Sequence, residues 1–313
     1  MHMKALRIVS PRQFEIGEID RPVAGPGQVL VRLLYASMCN QNDYKLFYGM
    51  YPGFGYPMPW GEFGHEGVGE VVEVGRDVQG LAPGDRVVLT GDGGGPNLYT
   101  EYIVREADWV IAIPRDRSPQ QAAVLELFGC AYHGLQRSAD LSGREVAVFG
   151  LGPAGLCLTQ LARLRAPRQL IAVDLDQARC EAGLRAGATE TVNASRDDEL
   201  PRLFERGVDV AIDCTGVPAS ILNAFKVSRG EVTIFGFSME PFQVVQSEWF
   251  HKELVIRNSK IMDHPDLVAV VGLWTQGLID PGSMISRVMK FEQYAEAVEL
   301  LYRQQAIKIL LEW

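Results

Sequence analysis

The sequence predicts an α/β protein of two domains: a small barrel-like β domain and a doubly wound parallel sheet, with a short last segment returning to the first. Three observations carry this. The first third of the 313-residue chain is a series of short apolar segments separated by Gly/Pro turns. From about Pro119 the texture changes to strands alternating with helical stretches. The turn between the first of those strands and its helix is glycine-rich, Gly150-Leu151-Gly152-Pro153-Ala154-Gly155.

In order along the chain, 5–9, 29–34, 68–74 and 86–89 read as strands, from their apolar and β-branched runs. Gly25-Pro26-Gly27, Ala82-Pro83-Gly84-Asp85 and Gly91-Asp92-Gly93-Gly94-Gly95-Pro96 read as the turns and loops between strands. Closely spaced strands of this kind suit a small barrel. A helix over 120–136 opens the second domain. Strands at 145–149, 170–173, 208–212 and 231–235 then alternate with helices beginning at Pro153, Asp176 and Pro218, the βαβ pattern of a parallel sheet covered on both faces. From about Ile279 come a strand, an amphipathic helix presenting Ala295, Val298, Leu301 and Tyr302, and a closing strand at 307–310. The domains are therefore expected at 1–120 and 121–275, with 276–313 completing the first.

Composition narrows the function. A chain 47% hydrophobic and 22% charged is an ordinary globular one. Its net charge is −9, with lysines and arginines scattered, so it lacks the basic patch of a nucleic-acid binder. No apolar run approaches the roughly 20 residues of a membrane span. Neither a nucleic acid nor a membrane is expected as partner. Met1-His2-Met3 reads as a cloning remnant ahead of a natural start at Met3, so His2 is given no role, and no signal-peptide pattern follows. Five cysteines without a CxxC pair (Cys39, Cys130, Cys157, Cys180 and Cys214) suit reduced thiols in a cytoplasmic protein.

The glycine-rich turn follows the apolar run Val146-Ala147-Val148-Phe149 and opens a helix. In that context Gly150 permits the tight turn, Gly152 lets the backbone approach a diphosphate, and Gly155 lets helix and sheet pack closely. Leu151 and Pro153 complete the turn, and the helix N-terminus offers free N–H groups to the phosphates. Asp174 ends the next strand, where a carboxylate accepts hydrogen bonds from the adenosine ribose hydroxyls and repels a 2′-phosphate. Leu175 and Asp176 follow it instead of basic residues, so NAD is favoured over NADP. This half is a Rossmann domain.

Gly64-His65-Glu66, followed by Gly69, Gly75 and Val78, matches the GHE-xx-G-xxxxx-G-xx-V signature of zinc alcohol dehydrogenases. With the Rossmann half behind it, the chain resembles the medium-chain dehydrogenase/reductase superfamily over nearly its whole length, and most of all its polyol, threonine and sorbitol dehydrogenase branch. The same resemblance covers Gly84-Asp85-Arg86-Val87, Ala122-Ala123-Val124-Leu125-Glu126 and Asp213-Cys214-Thr215-Gly216. It implies a GroES-like β-barrel catalytic domain, interrupted by the Rossmann domain, with the site in the cleft between them. It also implies that Thr215 belongs to the cofactor site.

The resemblance places His65 as a zinc ligand, Glu66 beside it as an alternate ligand, and Glu126 at or near the metal. The cysteine ligand departs from the pattern. The family reads Cys-Gly-Ser/Thr-Asp, whereas here Cys39-Asn40-Gln41-Asn42-Asp43 is one residue longer. Either the loop bulges and Cys39 binds zinc with His65 and Glu126, or Asn40 takes the cysteine's place and the site is metal-free or weakly metallated. The His-Glu pair favours zinc. Asp43 has the position that orients the ligand histidine. Asn42 replaces the family's relay hydroxyl, leaving Lys45, Tyr44 or ordered water to carry the proton. The four cysteines of the family's structural-zinc lobe are missing between Asp85 and Ala112, so one catalytic zinc and no structural zinc is expected. The aromatic stretch from Phe47 through Trp60 is either a loop packed on itself or a pocket lining. His133 shares a helix face with Glu126 and reads as a hydrogen-bonded, partly buried histidine, while His251 and His264 read as surface residues.

The function so implied is an NAD-dependent dehydrogenase interconverting a secondary alcohol (a polyol, cyclitol or sugar-like compound) and its ketone, as a homodimer or homotetramer. A zinc-free enone or quinone reductase, a redox-neutral epimerase and a non-catalytic NAD-binding protein are the alternatives.

Overall fold

The computed structural model describes residues 1–90 and 98–313. The turn signals at 91–96 lie outside the described residues. The chain forms two compact units, one of residues 1–126, 274–276 and 280–313, the other of 127–273 and 277–279.

The first unit starts with an antiparallel hairpin, β1 (His2–Ser10) and β2 (Gln13–Asp20), so His2 is part of a strand. Next come β3 (Gln28–Ser37), the short helix α1 (Asp43–Phe47), β4 (Glu66–Val74), β5 (Arg86–Thr90), β6 (Tyr102–Glu106), β7 (Ile111–Ile113) and α2 (Pro119–Ala122). Ser118 caps α2 by accepting the Gln121 N–H, with Pro119 at the first helical position, an N-terminal signature. The expected helix over 120–136 is divided, α2 being followed by α3 (Leu125–Arg137).

The second unit continues with β8 (Glu145–Phe149), α4 (Pro153–Arg163), β9 (Gln169–Asp174), α5 (Gln177–Arg185), β10 (Glu190–Asn193), α6 (Glu199–Arg206), β11 (Val208–Asp213), α7 (Pro218–Val227), β12 (Ser228–Ile234), β13 (Val255–Asn258) and α8 (His264–Thr275). Its six strands are ordered β10-β9-β8-β11-β12-β13 and all pair parallel. This is the doubly wound Rossmann order, whose direction reverses between β8 and β11. Strands buried on both faces must be apolar throughout, and Val146, Ala147, Val148, Val210, Ala211 and Ile212 are all fully buried.

The last segment supplies β14 (Ile285–Lys290), α9 (Tyr294–Tyr302) and β15 (Lys308–Glu312). β15 pairs antiparallel with β3 and parallel with β14, and the sheet runs β14-β15-β3-β4-β5-β7 with β6 added on β3. Phe291, Tyr294, Val298 and Leu311 accordingly share one apolar core with Leu6, Val31, Phe63 and Leu89.

Candidate functional site

The glycine-rich turn leaves β8 at the reversal point of the parallel sheet. Gly150 has φ +85°, and a Cβ on Gly155 would stand 1.7 Å from the Gly150 carbonyl oxygen. Only glycine at 155 lets α4 start this close to the strand, which leaves the helix N-terminus, capped by Gly152 with Pro153 following, open toward a ligand. Asp174, at the end of β9, accepts the Leu151 N–H at 2.6 Å on one oxygen and the Asp176 N–H at 3.0 Å on the other. The carboxylate is thereby tied to the turn with lone pairs to spare. Thr215 packs its methyl against Gly150, while its hydroxyl donates to buried Asp213 and accepts the Val217 N–H. Arg179, on the first turn of α5, was not anticipated. Its guanidinium is 3.9 Å from where a Gly152 Cβ would stand, a cation beside the phosphate-binding turn. Its one signal in the sequence is its place five residues after Asp174.

In the first unit the Cys39 sulfur, a His65 ring nitrogen and a Glu66 oxygen lie within 4.8 Å of one another. A thiolate, an imidazole and a carboxylate are the donor types that zinc takes, so this donor set fits the metal. Buried Glu126, on the first turn of α3, lies close enough for its charge to act on both His65 and Lys308. The loop absorbs its extra residue in a turn, with the Asn42 and Asp43 N–H groups both donating to the Cys39 carbonyl. The Asn40 amide donates instead to the Ile307 carbonyl at 3.0 Å. Burial pushes the His65 ring down, but the negative charge and hydrogen bond of Cys39, with Glu126 and Glu66 behind them, outweigh it and hold His65 well above its usual value.

Glu66 is pinned. Both its oxygens accept from the Lys308 ammonium, at 2.7 and 2.6 Å, and one also accepts the Ser37 hydroxyl at 2.9 Å. Lys308 gives its third proton to the Met38 carbonyl. Burial works against the lysine's charge, and Glu66, with Cys39 and Glu126 behind it, more than restores it. The sequence reading overlooked Lys308, although a single cation inside the apolar run Ile307-Lys308-Ile309-Leu310-Leu311 is the kind of signal that marks a buried pair.

Asp43 is buried at the start of α1. One oxygen accepts the Cys39 N–H at 2.7 Å, the other the Tyr99 hydroxyl at 2.7 Å and the Tyr294 hydroxyl at 3.1 Å. Burial raises its carboxyl above the usual range, with the Tyr99 bond, the Cys39 N–H, the His65 charge and the Tyr294 bond pulling part of the way back. Asp43 thus acts on His65 through its charge and on Cys39 through a bond.

Lys45 donates to Gln41 at 2.8 Å and lies 5.7 Å over the Tyr51 ring. The Tyr51 hydroxyl donates to Asn42 at 2.8 Å. Burial and the neighbouring Cys39 charge raise the phenols of Tyr44 and Tyr51, which places both rings near the sulfur. The remaining aromatics of this stretch are mostly structural: Phe47 is core, Tyr56 donates to the Leu46 carbonyl, and Trp60 lies under Arg7. His133 is hydrogen-bonded to Asp266 at 2.8 Å. His264, read as a surface residue, is half-buried, and so is Cys214.

Comparison with known proteins gives the same outline. Residues 25–115 match the alcohol dehydrogenase GroES-like domain family, and residues 153–276 match the zinc-binding dehydrogenase family. The L-threonine 3-dehydrogenase of Shewanella woodyi is 25% identical over 342 residues, covering 99% of this chain and 100% of its own. The (R,R)-butanediol dehydrogenase of Bacillus subtilis is 26% identical, covering 99% of each chain. Among solved structures, an alcohol dehydrogenase of E. coli CFT073 complexed with NADH superposes with a TM-score of 0.89 at 26% identity, covering 100% of this chain and 99% of its own. No helix among the described residues is long and apolar enough to cross a membrane.

Proposed function

Given that the chain belongs to the zinc-type alcohol and polyol dehydrogenases of the medium-chain dehydrogenase/reductase superfamily, we propose that it interconverts a secondary alcohol and its ketone with NAD(H) and one catalytic zinc. The observation that carries this reading is the convergence of Cys39 and His65 in the first unit, with buried Glu126 close enough for its charge to act on His65. Cys39, His65 and Glu126 would hold the metal, because both oxygens of Glu66 are engaged by Lys308. When bound, zinc supplies the Lewis acidity that lets an alcohol lose its proton near neutral pH, and the nicotinamide supplies the hydride acceptor.

The chain's own residues do the rest. Asp43 holds the Cys39 backbone, and Lys308 neutralises Glu66 so that the donor cluster does not carry a further uncompensated charge. Lys45, Tyr44 or ordered water would pass the proton outward in place of the relay hydroxyl; in support, Lys45 bonds Gln41 within the loop that carries Cys39, and Tyr44 follows that loop on α1. In the second unit the α4 N-terminus and Arg179 receive the diphosphate, and Asp174 receives the ribose hydroxyls, an arrangement that favours NAD over NADP. The absence of four clustered cysteines leaves one zinc per chain. The substrate class is a polyol, cyclitol or sugar-like secondary alcohol; of the relatives' names, butanediol is a diol, whereas L-threonine carries its secondary alcohol on an amino acid.

A homodimer through the second unit is supported by β13, whose four residues are all exposed at the sheet edge, Val255 and Ile256 among them. An open edge strand with apolar side chains is a pairing template.

The test is elemental analysis of the purified protein beside Cys39→Ala. About one zinc per chain, lost in the variant, is the expected result. Absence of zinc, or zinc indifferent to the substitution, would leave the enone-reductase and redox-neutral readings ahead.

A further inference from the structure

Asp43 is a buried carboxylate whose hydrogen-bond partners are three neutral donors from three parts of the chain: the Cys39 N–H, the Tyr99 hydroxyl before β6 and the Tyr294 hydroxyl at the start of α9. Each phenol has one proton, and both protons go to the same oxygen, Oδ1. That leaves Oδ2 directed at the Cys39 backbone. The Cys39 loop, one residue longer than the family pattern, is tied by the Met38 N–H to the Ile309 carbonyl, by Lys308 to the Met38 carbonyl, by the Asn40 amide to the Ile307 carbonyl and by its own turn, but it is Asp43 that holds the Cys39 N–H itself.

Tyr99 also reaches the other side of the donor cluster. Its ring lies against Gly64, the residue before His65, so closely that a Cβ there would stand 2.5 Å from the ring. Gly64 has φ +100°, and its carbonyl accepts the Leu98 N–H. One fully buried tyrosine therefore touches both segments that carry donors, the hydroxyl through Asp43 and the ring face at Gly64. Tyr99, Tyr294, Phe63 and Phe291 meet edge to face or tilted with centroids 4.9–5.8 Å apart, so the two phenols have little freedom to turn away.

We propose that Tyr99 and Tyr294 are positioning residues for the donor cluster, fixing Asp43 so that the Cys39 sulfur is set opposite His65 before any ligand arrives. The proposal rests on the reading of Cys39 and His65 as metal donors. Groups that orient ligands from behind typically contribute ~10–100-fold in metal affinity, and here the orienting is passed on once more, from phenol to carboxylate to backbone.

The experiment uses the full chain, stripped with a chelator and titrated with zinc or cobalt(II). Tyr99→Phe, Tyr294→Phe and the double variant are compared with wild type, Cys39→Ala and Tyr48→Phe, whose hydroxyl bonds Glu299 instead of Asp43. The readouts are zinc affinity against a chromophoric chelator, the sulfur-to-cobalt charge-transfer band, melting temperature and NADH binding by the Rossmann unit. The expected result is a loss of ~10-fold in zinc affinity for each phenylalanine variant, with a weakened or shifted cobalt–thiolate band. NADH binding should persist and Tyr48→Phe should behave as wild type. Phenylalanine variants with wild-type affinity and band, while Cys39→Ala loses the metal, would overturn the positioning role alone, even if their melting temperatures fall. If wild type shows no thiolate band, or Cys39→Ala keeps it, the donor reading fails and this inference with it. Should the double variant not fold, Tyr294→Phe, which removes only the longer bond, decides by the same readouts.

Discussion

Lys308 and Glu66, 242 residues apart in sequence, form an ion pair in which both side chains are 1% exposed. Removing one member of such a pair leaves the other charge buried without compensation, which typically costs ~3–5 kcal/mol, whereas replacing both by apolar groups is far less damaging. Lys308→Met should therefore lower the urea midpoint of the zinc-stripped protein strongly at unchanged slope, and Lys308→Met/Glu66→Leu should recover more than half of the loss. A double variant no more stable than the single one would mean that Ser37 and Met38, which also bond to the pair, matter more than the charges.

Asp174 and Arg179 make separable predictions. Asp174→Ala frees the Leu151 N–H and removes the repulsion of a 2′-phosphate, so the KM for NAD should rise and the preference over NADP shrink. Arg179→Ala removes a cation beside the phosphate-binding turn common to both cofactors and should raise both KM values alike. A factor of ~10 is expected for each, from the ~1.4 kcal/mol of one charge-assisted bond. Steady-state kinetics with the two nucleotides distinguishes the roles, and the reverse assignment would show Arg179→Ala changing the NAD/NADP ratio.

The open edge at β13 predicts the consequence of Ile256→Lys. A charge at an exposed edge position blocks strand pairing, so the variant should sediment as monomer with its melting transition retained. Unchanged assembly, or a monomeric wild type, would rule this edge out as the interface.

Acid stability should depend on Asp209. The Glu145 N–H, donating at 2.9 Å, and the Arg229 guanidinium hold its carboxyl below the usual range against a smaller burial effect. A carboxylate whose value is lowered on folding stabilises the protein above the unfolded-state value of about 4 and loses that contribution as pH falls through the lowered one. Asp43, whose value is raised, works in the opposite sense over the pH range above it. The melting temperature of Asp209→Asn should be lower than wild type at pH 6 and converge with it toward pH 3, a pattern that differential scanning calorimetry resolves. Parallel curves over that range would show that the Asp209 charge contributes nothing.

Much of this was legible because it is local. The turn from Gly150 to Gly155, the acid ending β9 and the Gly64-His65-Glu66 triplet each lie within one strand–turn or strand–helix unit, where residue type and backbone conformation constrain each other directly. Elements without such a signature were missed. β10 is four residues with polar ends and β13 is exposed throughout, so neither shows the apolar run of the central strands. The break between α2 and α3 falls in an unbroken apolar sequence, Ala122-Ala123-Val124-Leu125, that looks helical throughout.

By itself the sequence determined the order of elements, the two architectures and which residue types could act as metal donors and cofactor contacts. It left the loop at Cys39 open between two alignments, because shifting one residue changes no composition and no period. Only the folded chain decided that Cys39 faces His65 while Asn40 turns to Ile307, that Lys308 occupies Glu66, and that Tyr99 and Tyr294 meet at Asp43. The physical reason is that each of these is a contact between segments far apart in sequence. Periodicity and turn chemistry govern neighbours along the chain, whereas the partner of a buried charge is set by whichever strand the sheet brings alongside, here β15 returning to β3.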